Sequence, residues 1–380
     1  MNIFASKRWK KVLLLTSLVT VLVGYFLGTQ NEGLPSDAKS LSYMTLYGLK
    51  SYWEDKGSIQ MLQKDLLQRH QPLRGKLALV TGATKGLGRG IAAQLHALGA
   101  DLILPCRSIP AGLARRVELD SDELYRQNGL AVPSSEHPTV LPVIMDLSDL
   151  NSIDKGLIDI ELNVKDRPIE ILVSNAGLIV KDDVRSPQGF ELIFAVNFLG
   201  AAYLTSELKD KSILRAGPSG EPAVVVSVSS GEHRAWKSLN QTGLPFGTPF
   251  SNGISDVFHR YAYSKLAITT WMLAFANKHP ELRVLDLCPG PVGSEIAGKN
   301  GMLGQVVVPI MQATLPSIFH SAIFIIRLIT EAEFQHVSGR HYHMSKDFNA
   351  RSDALDPSIQ DWVYKQTKAL FSARAPPSIP

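Results

Sequence analysis

From residue 77 onward, short apolar runs alternate with longer stretches in which apolar residues recur at helical spacing. The runs that predict strands are 77–81, 102–104, 140–145, 169–173, 223–228 and 283–287. The stretches between them predict helices over 88–98, from near Ser148, over about 187–207 and over 261–277. Continuous apolar strands that alternate with helices are typical of a parallel sheet covered on both faces. We therefore predict an α/β protein with a doubly wound (Rossmann) parallel sheet in a single domain.

The N-terminal segment has a different pattern. Four basic residues between positions 7 and 11 precede an uncharged, mostly apolar stretch over 12–28. As a helix of about 17 residues it would reach roughly 25 Å, just enough to cross the hydrocarbon core of a bilayer. A cleaved signal peptide fits poorly, because the large residues at 25–27 offer no small side chains ahead of a cut site. We therefore predict a retained single-pass membrane anchor over 1–28, in the endoplasmic reticulum.

The side of the membrane on which the remaining chain lies is open. The basic cluster favours a cytosolic N-terminus, which would place the rest of the chain in the lumen. A glycosylation sequon at Asn240 agrees with a lumenal domain, but such triplets also occur by chance. Both orientations therefore stay under consideration.

Charge and cysteine content exclude several classes of function. The formal net charge is only +4, and no long basic tract follows the N-terminal cluster, so nucleic-acid binding has little support. Cys106 and Cys288 are the only cysteines, and neither has metal-ligand spacing. We expect no metal site and no disulfide framework, and whether the protein forms a homodimer stays open.

A glycine-rich turn connects the first predicted strand to the first predicted helix. It contains Gly82, Lys85, Gly86, Leu87 and Gly88. Glycines allow a tight turn and a close approach of the backbone to a ligand, and the helix that follows directs its N-terminal amides at that ligand. The motif alone is weak, but its position after the first strand indicates a pyrophosphate site.

The second and third strands end in residues that bear on the choice of cofactor. The second ends at Arg107, where an NAD site usually has an acidic residue. Together with Lys85, this cation predicts binding of the 2′-phosphate of NADP(H), although two solvated surface charges would give the same pattern. Asp146, which ends the third strand, would either accept a hydrogen bond from the adenine amine or cap the next helix.

Tyr261 and Lys265 are the strongest candidates for chemistry. They are four residues apart, so on a helix they share one face. A phenol of pKa about 10 is a poor proton-transfer group at neutral pH, and a nearby ammonium stabilises its phenolate. The same lysine would also hold the nicotinamide ribose. A Tyr/Lys pair with this spacing is common on protein surfaces, so it indicates a catalytic site only in combination with other motifs.

Three further polar residues follow or interrupt apolar segments. Ser230 follows the strand 223–228, where its hydroxyl would bond a substrate oxygen, or would merely cap a helix or form a turn. Asn175 follows another strand, and small residues beside it allow close approach to a cofactor. Asn197 lies in an apolar helical stretch, where a buried amide needs a partner such as a backbone carbonyl or a water connected to Lys265.

Taken together, these motifs resemble those of the short-chain dehydrogenase/reductase family from about Leu77 to Tyr342. The order of the glycine turn, Asn175-Ala176-Gly177, Asn197, Ser230, Tyr261 with Lys265, and Pro289-Gly290 carries the resemblance. It implies that Ser230 polarises a carbonyl, that Tyr261 transfers the proton, and that Lys265 tunes Tyr261 and binds ribose. It further implies a proton relay supported by Asn197 and a cofactor contact from Val292. The chain departs from the family at Ser174, usually Asn, and at Ser294, often Thr.

The long gap between Ser230 and Tyr261, together with Arg107, resembles the retinol dehydrogenase-like branch of the family. That resemblance implies a bulky apolar substrate such as a retinoid, a steroid or a lipid carbonyl. The apolar segment 303–330 is interrupted by His320 and Arg327, so we expect core and lid helices there rather than a second membrane contact.

The resulting division is an anchor over 1–28, a stem over 29–74, an NADP-binding catalytic domain over 75–345 and a helical tail over 346–380. An NADP(H)-dependent oxidoreductase that interconverts an alcohol and a carbonyl is the leading hypothesis. A catalytically silent NADP(H)-binding scaffold and a lumenal steroid dehydrogenase are the alternatives. A scaffold has no need of Ser230, Tyr261 and Lys265 together, which favours an enzyme.

Overall fold

A computed structural model describes most of the chain beyond the stem. The described residues are 71–130, 138–180, 182–236, 238–239, 246–247, 257–296, 308–309, 311–313, 315–344 and 346–377. The predicted anchor, nearly all of the stem and the Asn240 sequon lie outside them. Within the described residues, no helix combines the length and the apolar character that a bilayer span requires.

Eight strands form one sheet. In chain order they are β1 (Leu77–Val80), β2 (Asp101–Cys106), β3 (Val140–Ile144), β4 (Ile171–Ser174), β5 (Val224–Val228), β6 (Arg283–Cys288), β7 (Arg340–His343) and β8 (Lys346–Asp347). Their order across the sheet is β3-β2-β1-β4-β5-β6-β7-β8. The pairs from β3 to β7 are parallel, and only the short β8 pairs antiparallel, with β7.

Helices cover both faces of the sheet. They are α1 (Gly86–Ala97), α2 (Ile109–Leu119), α3 (Asp122–Gln127), α4 (Leu150–Val164), α5 (Leu192–Phe194), α6 (Gly200–Asp210), α7 (Val257–Lys278), α8 (Ile318–Thr330), α9 (Ser352–Leu355) and α10 (Pro357–Ala373). Alternate strand residues enter two separate cores. Leu77 and Leu79 face the core that contains α4, α6 and α7, whereas Ala78 and Val80 face the core that contains α1 and α8. The predicted doubly wound parallel α/β sheet is therefore confirmed.

Several helix starts differ from the prediction: α1 begins two residues earlier than expected, and α7 begins at Val257 instead of Tyr261. For two others the reason is local. The helix expected from about residue 187 begins at Leu192, because Glu191 accepts a hydrogen bond from the Phe194 amide and acts as its cap. It then widens into a π-helical turn over Ala195–Leu199 before α6 begins. The helix expected from near Ser148 begins at Leu150, where the carboxylate of Asp149 accepts from the Asn151 amide.

Two C-terminal helices, α8 and α10, pack against the helices that cover the sheet. Helix α8, inside the stretch expected to form core or lid helices, lies against α1; the ideal Cβ position at Gly90 is only 2.6 Å from the Ile318 carbonyl oxygen. Helix α10 packs on α7, where the Asn277 amide donates to Gln360 at 2.9 Å. The C-terminal residues thus contact the same helix that carries Tyr261.

Candidate active site

A cleft of about 420 Å³ opens at the carboxyl ends of the strands. This is where ligands bind in open α/β sheets, because the strand order reverses there and leaves a crevice. The residues proposed from sequence that line it are Gly82, Lys85, Gly86, Leu87, Arg107, Asp146, Asn175, Ser230, Tyr261, Lys265 and Val292. Gly88 and Asn197, the other two, lie behind its walls. The fold therefore brings together residues that are far apart in sequence.

The glycine turn is closely packed. Gly82 and Gly86 have φ values of +69° and +54°, a region that residues with a side chain rarely adopt. A Cβ atom on Gly88 would lie 2.4 Å from the Gly82 carbonyl oxygen and 2.5 Å from the Asn175 amide nitrogen. The absence of side chains here lets the turn fold against β4 and leaves the N-terminus of α1 facing the cleft.

Thr81 and Asn175 hold that turn to β4. The Thr81 hydroxyl oxygen accepts from the backbone amides of Asn175 and Ala176, both at 2.9 Å. In return, the Asn175 side-chain amide donates to the Thr81 carbonyl oxygen at 2.9 Å. Asn175 thus fixes the floor of the cleft through the turn, in addition to lining it.

An arginine that the sequence did not reveal supports the other side of the turn. Arg115 on α2 is buried and donates to the Thr84 carbonyl oxygen at 2.8 Å. Its guanidinium and that of Arg89 on α1 both contact Glu118. Residues 108–139 carry no periodic signal that relates Arg115 to a turn some thirty residues earlier, so only the packing of α2 shows this contact.

The two cations expected near an adenosine phosphate both line the cleft, Arg107 at its β2 end and Lys85 in the glycine turn. Arg107 is exposed and lines the cleft directly after β2. Lys85 is largely exposed, and its ammonium lies 3.7 Å from the Glu295 carboxylate. Glu295 was not proposed from the sequence, and it partly neutralises Lys85. Asp146 lines the cleft and accepts from the amide and hydroxyl of Ser148, whereas Asp149 caps the helix.

Tyr261, Lys265 and Ser230 meet on the opposite wall. Tyr261 and Lys265 lie one turn apart on α7, with 7% and 4% of their surfaces exposed. The Lys265 ammonium lies 5.7 Å from the centre of the Tyr261 ring and donates to the Val228 carbonyl oxygen at 2.8 Å. Ser230, just beyond β5, forms a side-chain hydrogen bond with Tyr261. The three groups therefore converge on one region of the cleft.

Burial disfavours the charged forms of both α7 residues. It raises the pKa of Tyr261 well above its usual range, and the hydrogen bond with Ser230 opposes part of that rise. It also lowers the pKa of Lys265 to about 8. Tyr261 therefore carries its proton at neutral pH in the free protein, and it is suited to donate that proton to a substrate oxygen.

Asn197 holds a loop on the substrate side rather than lining the cleft. Its side-chain oxygen accepts from the Leu178 amide at 2.8 Å, and its amide donates to the Leu178 carbonyl at 3.1 Å. The amide also donates to the Ser264 hydroxyl at 3.2 Å, which connects the π-helical turn to α7. A Cβ atom on Gly177 would lie 3.4 Å from the Asn197 side-chain oxygen and 3.7 Å from the Lys265 ammonium. Gly177 thus lies between Asn197 and Lys265.

Two further groups of lining residues were not proposed from the sequence. Five apolar residues line the main cleft, namely Leu178, Leu192, Val196, Ile296 and Met311. Of these, Leu178, Leu192 and Ile296 pack in the same cluster as Tyr261. A side chamber of about 130 Å³ shares Ser230 and Gly290 with the main cleft, and Glu232, Cys288 and His343 line it. These residues lie in loops, in helix turns or at the ends of strands β6 and β7, where no periodic pattern marks which side chains face inward.

The family model described as short chain dehydrogenase matches residues 76–239. Human retinol dehydrogenase 11 is 30% identical, with 64% of this chain and 70% of that protein covered. The chain belongs to the short-chain dehydrogenase/reductase family. Human retinol dehydrogenase 14 is 28% identical over 76% of this chain and 83% of its own length. Zebrafish (Danio rerio) polyprenol dehydrogenase is 26% identical over 79% and 88%, respectively. These matches confirm the predicted family and its retinol dehydrogenase-like branch.

Solved structures of short-chain dehydrogenases/reductases share the fold. A 3-ketoacyl-(acyl-carrier-protein) reductase from Brucella melitensis, complexed with NADH, is 21% identical and has a TM-score of 0.50. It matches 71% of this chain and 97% of that one. A short-chain type dehydrogenase/reductase from Mycobacterium marinum is 17% identical with a TM-score of 0.51, over 72% and 94% of the two chains. These structures show the shared fold, and the family match together with the retinol dehydrogenase relatives makes the chain an oxidoreductase of this family.

Proposed function

We propose that this oxidoreductase uses NADP(H) to interconvert an alcohol and a carbonyl on a bulky apolar substrate such as a retinoid, a steroid or a lipid. The observation that carries the proposal is the convergence of Ser230, Tyr261 and Lys265 on one wall of the cleft. A protein that only binds a nucleotide gains nothing from a buried ammonium beside a buried phenol, because both are costly to desolvate.

The cleft fits a dinucleotide. Its floor lacks Cβ atoms at Gly82, Gly86 and Gly177, so an extended ligand can lie against the backbone. The N-terminus of α1 supplies amides and a partial positive charge where a pyrophosphate would bind. Arg107 supplies a cation at the β2 end, and we assign the 2′-phosphate of NADP(H) to it. Lys85 is a weaker contributor to this preference, since Glu295 lies within ion-pair distance.

Bound NADPH would supply the hydride that reduces a carbonyl carbon. In that direction, Ser230 donates a hydrogen bond to the carbonyl oxygen and stabilises its developing negative charge. Tyr261 donates its phenolic proton to the same oxygen. Lys265 stabilises the resulting phenolate by its charge, and Asn197 keeps the 177–178 loop in place beside it. Oxidation of an alcohol runs through the same groups in reverse.

The proposed substrate class follows from the apolar side chains that pack near Tyr261, Leu178, Leu192 and Ile296, and from the relatives. Such a surface binds hydrocarbon better than a polar metabolite. The names of the relatives, retinol and polyprenol dehydrogenases, indicate isoprenoid alcohols. An anchor over 1–28 in the endoplasmic reticulum would place the cleft close to a bilayer that dissolves such molecules. Both the anchor and the location are part of this proposal.

The decisive experiment is steady-state turnover of the full-length, detergent-solubilised protein with NADPH and NADH, against retinal, steroid ketones and long-chain aldehydes. Tyr261→Phe should lower kcat about 10³-fold, as removal of a proton-transfer group does, with the Kd for NADPH unchanged. Tyr263→Phe is the matched control, because Tyr263 is a buried tyrosine of the same helix that does not line the cleft. Turnover in Tyr261→Phe equal to that of the wild type would reject the assignment.

A further inference from the structure

A buried polar chain lies directly behind Ser230. The 3₁₀ turn Gly231–Arg234, which follows Ser230, places the imidazole of His233 beneath the serine with none of its surface exposed. Its Nδ1 lies 2.7 Å from the carbonyl oxygen of Ser230 itself. Its Nε2 lies 3.2 Å from the backbone nitrogen of Arg351, in the C-terminal segment. One ring therefore connects the candidate catalytic serine to residues about 120 positions later.

The two partners fix the tautomer of the ring. A backbone N–H can only donate, so Arg351 donates to Nε2, and a carbonyl oxygen can only accept, so Nδ1–H donates to Ser230. Burial lowers the pKa of His233 to about 3, which keeps the ring neutral and preserves this arrangement across the physiological range. His233 is therefore not an acid–base group. It is a rigid connection with one donor and one acceptor, both satisfied.

The connection continues into the helix that carries Tyr261. The His233 ring packs edge-to-face on His341 of β7, with the ring centres 4.9 Å apart. His341 lies 2.6 Å from the Asp286 carboxylate, which also accepts from the Thr269 hydroxyl at 3.0 Å. Thr269 is one turn beyond Lys265 on α7. A series of buried contacts thus links the backbone at Ser230 to the helix that carries Tyr261 and Lys265.

A second set of contacts holds the same turn from the C-terminal side. The Arg351 guanidinium donates to the Arg234 carbonyl oxygen at 3.2 Å and also contacts the carbonyl of Trp236. Arg351 therefore bonds this turn through both its backbone and its side chain. Backbone carbonyls in a short 3₁₀ turn need such partners, because the turn itself satisfies few of them.

We propose that His233 is a positioning residue, which aims the Ser230 hydroxyl at the substrate oxygen by holding the Ser230 carbonyl against the C-terminal segment. This inference rests on the proposed role of Ser230 in the reaction. A displaced hydroxyl would still allow substrate and cofactor to bind, but it would stabilise the transition state less well. Loss of the Nδ1 donor should therefore lower kcat and leave KM and the Kd for NADPH nearly unchanged.

Two substitutions distinguish the roles of the two nitrogens of the His233 ring. In His233→Asn the side-chain amide occupies the place of Nδ1 and can still donate to Ser230. In His233→Gln the amide occupies the place of Nε2, so the side-chain donor to the Ser230 carbonyl is lost and only the backbone amide of residue 233, at 3.1 Å, still donates to it. We expect His233→Gln to lower kcat about 10- to 100-fold and His233→Asn to retain kcat within about threefold. His233→Ala, which lacks both polar atoms, gives the same contrast with His233→Asn if the Gln variant does not fold.

The controls distinguish a positioning role from a general loss of stability. His96→Gln removes another fully buried imidazole, at the end of α1 away from the glycine turn, where it bonds Tyr125 and Pro138. It should lower the Tm without lowering kcat. In a Ser230→Ala background, His233→Gln should cause no further loss, since a positioning residue has nothing left to position.

Three results would overturn the inference while leaving the proposed function intact. They are a kcat in His233→Gln no lower than in His96→Gln, equal losses in the Asn and Gln variants, and multiplicative losses in the Ser230→Ala/His233→Gln double variant. Wild-type turnover in Ser230→Ala alone would instead overturn the role of Ser230. The two failures are therefore separable within one set of proteins.

Discussion

The two walls of the cleft are built in different ways. The nucleotide wall comes mainly from consecutive residues, Thr81 to Gly88, and is shaped by the absence of side chains: a Cβ on Gly88 would collide with the Gly82 carbonyl. The catalytic wall comes from segments that are distant in sequence, and buried polar side chains such as Lys265 and His233 hold it in place. The first wall is therefore damaged by added atoms, and the second by removed ones.

This contrast predicts which measurement each substitution should change. Added bulk in the glycine turn should weaken cofactor binding, because the backbone must move away from the ligand. Removed polar atoms in the catalytic wall should change turnover or the pH dependence of stability, because buried groups lose their partners or their charge. The following variants test this comparison, from the largest expected effect to the smallest.

Gly88→Ala should have the largest effect on the nucleotide wall. The new methyl group would meet the Gly82 carbonyl oxygen at 2.4 Å and the Asn175 side-chain amide at 2.5 Å. The first is a backbone atom, and the second is held by its hydrogen bond to the Thr81 carbonyl. Overpacking costs about 1–3 kcal/mol, so we expect the Kd for NADPH to rise roughly 10- to 100-fold in fluorescence titrations. Gly129→Ala is the control, because its φ of +65° imposes strain in open space away from the cleft. Equal affinity in the two variants would contradict the proposed turn contact.

Arg107→Ala should separate the two nicotinamide cofactors. Loss of a charge-assisted contact with a 2′-phosphate should raise the Kd for NADPH about tenfold and leave the Kd for NADH nearly unchanged. Arg116→Ala, which removes an exposed arginine of α2 that does not line the cleft, should change neither value. Equal changes for both cofactors in Arg107→Ala would indicate a contact with the shared pyrophosphate instead.

Glu232→Gln should have the smallest effect and should appear in the pH dependence of stability. Burial raises the pKa of Glu232 from 4.5 to about 7, so the folded state holds this proton more tightly than the unfolded state. The contribution of Glu232 to stability is therefore present below about pH 4.5, and it is lost as the pH rises through about 7. The Gln variant cannot ionise and should escape this loss, which would raise its Tm relative to the wild type by about 2 °C more at pH 7.5 than at pH 5.

The control for this measurement is Glu123→Gln, which removes an exposed carboxylate on α3. Its Tm should differ from that of the wild type by the same amount at both pH values. A Glu232→Gln profile that parallels the wild type would show that this carboxyl does not resist ionisation in the folded protein.

The sequence predicted well where the signal is local. Apolar runs of three to six residues gave the six strands β1–β6 within about two residues, because strands buried on both faces must be continuously apolar. The glycine turn was recognisable because only glycine tolerates its backbone, and Tyr261 with Lys265 because helical spacing places both on one face. Helix starts were less predictable, since Glu191 and Asp149 act as caps through side-chain geometry.

Contacts between distant segments were not predictable in this way. Nothing near Arg115 in the sequence relates it to Thr84, and nothing near Arg351 relates it to His233, because each pair meets only after separate helices and strands have packed. Glu295 likewise forms an ion pair with Lys85 only because the loop after β6 lies along the cleft. The amino-acid sequence alone thus determined the α/β sheet, the family and the chemical groups. The tertiary structure decided the protonation states of these groups, their hydrogen-bond partners and their orientation, because burial and hydrogen bonding depend on which surfaces meet.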